Sequence, residues 1–141
     1  KTYSKQMLHT DELPYFVSGG KQGLLEVNET KIAFGICYES LQKEHLISAK
    51  DEGAEIYIAS VAKPKGGIEK AYQHFPSMAR ELKMTILMAN CVGFCDNFMS
   101  SGQSAVWNRN GVLLDQLDDH NPGFIIYDRA AEKVEKEQII I

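Results

Sequence analysis

Cys37 closes the apolar run Lys31-Ile32-Ala33-Phe34-Gly35-Ile36-Cys37 and is followed at once by Tyr38-Glu39-Ser40 and a helix-like stretch. A thiol at the exit of a buried strand is well placed to be a nucleophile. Upstream, Tyr3-Ser4-Lys5-Gln6-Met7-Leu8-His9-Thr10-Asp11-Glu12 brings a lysine and a glutamate, followed by Pro14-Tyr15-Phe16 and a glycine-rich turn. These residue types suit attack on an amide. An amide carbon is a poor electrophile, so a site must supply a strong nucleophile and somewhere for negative charge on the tetrahedral oxygen. A free cysteine, with a pKa of about 8.5, needs a base or a nearby cation to be thiolate at neutral pH. Lys5 is the candidate cation, and the Tyr38 backbone N–H, at the start of the next helix, is a second candidate donor to the oxyanion.

Taken singly, each residue has a plainer reading. A cysteine at a strand end packs as a small hydrophobe, and a lysine is a solvated charge. Glu39 reads as a helix-start acid favoured by the macrodipole. The order of lysine segment, strand, thiol and helix is what points to a site.

That order is similar to the nitrilase (carbon-nitrogen hydrolase) superfamily. YSKQMLHTDELPYF resembles its lysine motif and IAFGICYES its nucleophile motif, and the likeness continues through AEIYIAS, MARELKMTILMANCVG and GQSAVWNRNGVLL. The resemblance implies that Cys37 attacks the substrate carbon, that Lys5 stabilises the oxyanion, and that a glutamate acts as general base. In that family this glutamate lies well upstream of the lysine motif. The expectation is therefore an α/β chain whose residues 1–141 form the C-terminal portion of a single domain, part of a four-layer αββα sandwich whose N-terminal half lies outside it. Glu12 matches, with a one-residue shift, a second glutamate that helps position substrate. Val61-Ala62-Lys63-Pro64 falls where the family lines its pocket, so Lys63 either attracts a substrate carboxylate or stands solvated before the proline. The resemblance further implies a small-molecule amide, carbamoyl amine or nitrile as substrate, no cofactor or metal, and a homodimer or higher oligomer built through the helices at 41–52 and 68–83.

Composition is compatible with this. The chain has 141 residues, 44% of them hydrophobic, and a net charge of −4, which disfavours nucleic acid or an anionic membrane as partner. No apolar stretch approaches the roughly 20 residues of a membrane-spanning helix and no secretory leader is visible, so a cytoplasmic location is expected. Three cysteines make an odd set without a disulfide framework. Cys91 and Cys95 have no second pair to complete a zinc site, and Cys91 reads as a packed strand-end thiol. Two other function classes were weighed. A Cys-His hydrolase elbow would want G-x-C-x-G, which Gly35-Ile36-Cys37-Tyr38-Glu39 lacks. A non-catalytic binding module would keep the fold and perform no hydrolysis.

The elements that must position these residues alternate. Strands are expected at 24–27 and 31–37 around an Asn28-Glu29-Thr30 turn, then a helix marked by Leu41, Leu46 and Ala49 and ended by Gly53. A buried strand at 54–60, a helix at 68–83 and a strand at 84–92 follow. Strands at 103–107, 112–117 and 124–128 then read as a meander, with Asn110-Gly111 as a hairpin signal, and 129–138 as a charged terminal helix.

Overall fold

The computed structural model describes residues 2–21, 23–95 and 97–139. Its frame is a six-stranded sheet in the order β1-β2-β3-β4-β7-β8. These strands are β1 (Leu25–Val27), β2 (Thr30–Ile36), β3 (Ile56–Val61), β4 (Thr85–Asn90), β7 (Ala105–Trp107) and β8 (Leu113–Gln116). β2, β3 and β4 run parallel, and β1, β7 and β8 are antiparallel to their neighbours. The parallel strands are joined by the helices α1 (Lys43–Asp51) and α2 (Lys65–Leu82). Two hairpins stand outside this sheet: β5 (Val92–Cys95) with β6 (Phe98–Ser101), and β9 (Gly123–Asp128) with β10 (Lys133–Gln138).

Both helices pack on one face of the sheet. Leu46 and Ala49 from α1, and Ile68, Ala71, Phe75 and Met78 from α2, meet Ala33, Tyr57, Ala59, Ile86, Met88 and Trp107 in one core. Trp107 anchors it, with the Tyr72 and Phe75 rings 5.0 and 5.6 Å away. Burying an aromatic or aliphatic side chain of this size contributes roughly 1.5–3 kcal/mol. On the other face the strands' alternate residues, among them Phe34, Ile58 and Leu87, are only half-buried.

Most of the expected elements are present. Asn28 and Glu29, both at positive φ, make the two-residue β1–β2 turn, as the strand twist favours. Gly111, at φ +75, turns β7 into β8 with the Asn108 carboxamide accepting the Asn110 and Val112 N–H groups; a side chain there would collide with the Pro76 carbonyl of α2.

Four expectations are corrected. Cys37 enters a single 3-10 turn, Cys37–Leu41, and the α-helix begins only at Lys43. The strand expected over 84–92 stops at Asn90, whose side chain is recruited for a different task, and the apolar stretch beyond it folds back as the β5–β6 hairpin. The meander divides: β7 and β8 extend the main sheet, Gln103 at φ +58 lies before it, and β9 leaves for its own pair. The terminal helix is strand β10. Asp128 accepts the Ala130 and Ala131 N–H groups, Glu132 adopts φ +49, and the chain reverses onto β9 in register from Lys133↔Asp128 to Gln138↔Gly123. Inter-strand pairing here overrides the helical preference of a Lys- and Glu-rich segment.

Candidate active site

The site lies at the C-terminal ends of the parallel strands, where open α/β sheets bind ligands. Cys37 follows β2 directly and has φ +48, a left-handed conformation rare for a residue with a side chain. Such strain persists only where the surroundings over-determine it, and it gathers at functional positions. Here the turn is braced from both sides. The Ser40 hydroxyl donates to the Cys37 carbonyl at 2.6 Å, and the Ile36 N–H donates to Glu39 at 2.8 Å. The half-buried thiol makes a long contact of 3.9 Å with the Ala62 carbonyl, just beyond β3. The Tyr38 N–H lies in the first turn after the cysteine, where no intrahelical acceptor reaches it.

Lys5 and Glu12 are brought together. The Lys5 ammonium donates to both carboxylate oxygens of Glu12, at 2.7 and 2.6 Å, and Glu12 also accepts the His9 N–H at 2.6 Å. The Lys5 hydrogen bond, then the His9 one, holds the Glu12 carboxyl below the usual carboxylate range. Residues 5–19 form a compact loop closed by the Gly19 N–H on the Lys5 carbonyl at 2.7 Å. Gly19 passes so near Ser4 that a Cβ would sit 2.7 Å from its carbonyl oxygen. His9 from this loop packs edge-on against Tyr38, with ring centroids 5.1 Å apart.

Lys63 is buried, only 6% exposed, which overturns its reading as a solvated lysine. It makes no ion pair among the described residues. Burial pushes its ammonium below the ordinary lysine value; Cys37 opposes that shift, while Lys70 and Lys5 add to it. Its backbone is clamped by residues that the sequence did not advertise. The Asn90 side chain accepts the Lys63 N–H at 2.8 Å and donates to the carbonyls of Lys63 and Gly102 at 3.2 and 2.7 Å. The Ser100 hydroxyl and the Ser101 N–H donate to the same Lys63 carbonyl.

Glu39 lies in the first turn, as a helix-start acid does, and is in addition fully buried. One carboxylate oxygen accepts the Tyr3 hydroxyl at 2.7 Å and the Ile36 N–H at 2.8 Å; the other accepts the N–H groups of Gln6 and Met7 at 2.7 and 3.0 Å. Tyr3 also contacts His45 at 2.9 Å, and His45 contacts the Tyr57 hydroxyl at 2.8 Å. Gly35 makes this layer possible, because any side chain there would occupy the Tyr57 hydroxyl's position. Burial, helped by Glu39, raises both tyrosines, and burial lowers His45 against the pull of Glu39 and Glu52. The sequence held one weak signal for this network, polar residues at fixed offsets from Lys5 and Cys37.

Among the described residues, metal-ligating side chains gather only at Asp118, Asp119 and His120 in the β8–β9 connection. They are satisfied locally, Asp118 by the His120 and Asn121 N–H groups and Asp119 by His120. No described helix is long and apolar enough to cross a membrane.

The frame is thus an α/β sheet covered by helices on one face, with a thiol at the exit of its first parallel strand. The carbon-nitrogen hydrolase family model matches residues 1–136, and the chain belongs to that family. No curated protein matches it in sequence. Among solved structures it is similar to the NitN amidase from Nesterenkonia sp. AN1, with a TM-score of 0.71 and 24% identity over 84% of this chain and 47% of that one. It also resembles the glutamine-dependent NAD+ synthetase from Acinetobacter baumannii, with a TM-score of 0.83 and 21% identity over 94% of this chain and 27% of that one. A glutamate-to-glutamine variant of the same amidase, showing Michael addition of acrylamide at its active-site cysteine, matches with a TM-score of 0.69 and 22% identity over 83% and 46% of the two chains. The chain thus spans about half the length of the amidase it matches.

Proposed function

We propose that the intact protein hydrolyses a non-peptide C–N bond of a small amide, carbamoyl amine or nitrile through a thioester on Cys37. For an amide, the thiol gives its proton to a general base and its sulfur bonds to the carbonyl carbon. The carbonyl oxygen becomes an oxyanion held by the Lys5 ammonium and the Tyr38 N–H. Collapse breaks the C–N bond, and the leaving amine takes the proton from the base. Water then attacks the thioester, releasing the acid and restoring the thiol. Glu12 orients the Lys5 ammonium, and Lys63 is offered as the contact for an anionic group on the substrate.

The observation that carries this reading is the left-handed Cys37 at the exit of β2, in a turn whose Glu39 carboxylate accepts the N–H groups that follow Lys5. The base is assigned to a glutamate outside residues 1–141, because both glutamates at the site are committed, Glu12 to Lys5 and Glu39 to four donors. The 141-residue piece alone is therefore proposed to be inactive, and dimerisation of the intact protein is assigned to the outer faces of α1 and α2. The test is covalent trapping. Fluoroacetamide leaves its acetamide moiety on the active-site cysteine of the Nesterenkonia amidase. The same adduct is expected on Cys37, located by peptide mass spectrometry, together with ammonia release from short amides. Labelling spread evenly over Cys37, Cys91 and Cys95, with no ammonia released, would favour the binding-module reading.

A further inference from the structure

We propose that Glu39 is the positioning residue of this site, its buried carboxylate joining the Lys5 segment to the Cys37 turn so that thiol and ammonium are set in one geometry. The inference rests on the reading of Cys37 as nucleophile and Lys5 as oxyanion donor.

Cys37 and Lys5 come from segments far apart in sequence, with no strand pairing between them to fix their relation. β1 pairs with β2 only as far as Ile32, which leaves the upper edge of β2 unpaired by β1. The Tyr3 ring lies beside Phe34 there, with centroids 6.2 Å apart. The His9 ring packs on Tyr38, and the hydrogen-bonded connection among the described residues is Glu39. Its first oxygen takes Tyr3, two residues before Lys5, and Ile36, the residue before Cys37; its second takes Gln6 and Met7, the two residues after Lys5. One rigid group thus holds the Tyr3 side chain before Lys5, the backbone after it and the strand end that carries Cys37. The carboxylate is 0% exposed, so no water competes for these bonds. Tyr3 is fixed in turn by His45, and His45 by Tyr57 in the core.

The arrangement requires four acceptor positions. A glutamine can turn its amide either way, but each orientation sets its NH2 group against backbone N–H donors, those of Gln6 and Met7 or that of Ile36. Glu39→Gln therefore keeps the shape and breaks the join. Displacement of a reacting group by about 1 Å costs on the order of 100-fold in rate.

The experiment compares Glu39→Gln, Tyr3→Phe, Lys5→Gln and Tyr72→Phe in the intact protein. Tyr72→Phe removes hydrogen bonds to the Gln103 carbonyl and the Gln116 side chain, outside the Glu39 network. Butyramide hydrolysis, thermal melting and the rate of Cys37 alkylation by iodoacetamide at pH 7 are the readouts. Glu39→Gln is expected to lower kcat about 100-fold with KM within about threefold, while Tyr72→Phe, which loses stability without touching that network, keeps kcat within about threefold. Alkylation should slow about tenfold in both Glu39→Gln and Lys5→Gln, and no further when the two are combined, because both remove the same ammonium from the thiolate. Should Glu39→Gln fail to fold, Tyr3→Phe, which deletes one of the four bonds, is expected to lose several-fold in kcat. A folded Glu39→Gln or Tyr3→Phe protein with unchanged kcat overturns the proposal, as do alkylation losses that simply multiply. If the wild type turns over no amide, the hydrolase reading fails by itself, and the alkylation pattern still decides the role of Glu39.

Discussion

The two ends of the parallel strands carry charged groups of both signs, yet they are different kinds of place. At the C-terminal end Glu39 is fully buried with its carboxylate accepting four donors, and Lys63 is nearly buried and held through its peptide groups. At the N-terminal end a broad groove is lined by Lys50, Glu55, Lys83, Arg109, Arg129 and Glu132. Its ion pairs, Arg129 with Glu55 and Arg109 with Glu132, join side chains that are roughly half exposed. Water and salt screen the second set, so each pair contributes about 0–1 kcal/mol. Water is kept from the first set, so removing one partner leaves others unsatisfied in a low dielectric. Charge marks both ends; burial decides which one can couple groups to chemistry.

The comparison is tested most severely at its centre. Cys37→Ala in the intact protein is expected to fold normally and lose at least about 10^4-fold in turnover, since alanine cannot form the thioester. Full turnover in a folded Cys37→Ala protein would remove the site from this end of the sheet. Lys5→Gln should lower kcat by about 100- to 1,000-fold and change KM far less, because its charge matters mainly when the oxyanion forms. Steady-state kinetics separate the two, and a rise in KM alone would make Lys5 a ground-state binding group.

Asn90→Ala removes the clamp on the Lys63 peptide and leaves buried N–H and C=O groups unpaired. A loss of about 2–3 kcal/mol in urea unfolding is expected, and a change under 1 kcal/mol would mean that the clamp is replaceable. Acid should find the buried end first. Burial lowers His45, and burial together with Lys63 and Lys43 lowers His74. Below the unfolded value of about 6.5 the unfolded chain binds protons that the folded chain refuses. Stability is therefore complete above about pH 6.5 and falls as pH drops below it. His45→Gln with His74→Gln should flatten that slope in urea titrations at stepped pH; an unchanged slope would assign it to other groups. Arg129→Ala at the opposite end completes the contrast, with an expected change of at most about 1 kcal/mol. Its Thr30 hydroxyl partner has the buried side of that contact to lose, so a larger effect would show this end to be less screened than its exposure implies.

The sequence alone was enough for what depends on local pattern. The apolar run ending in Cys37, the alternation of strands and helices through Asn90, and the two hairpin turns at Asn28-Glu29 and Asn110-Gly111 were legible because periodicity and turn chemistry act over a few residues. The tertiary structure decided the rest. β10 is a strand because β9 lies beside it, although its Lys- and Glu-rich composition favours a helix. Lys63 and Glu39 look like surface charges until Asn90, Ser100 and the Tyr3 to Met7 backbone close over them. Burial is a property of what the rest of the chain brings to a residue, and four donors drawn from two separate segments leave no signature at position 39 itself.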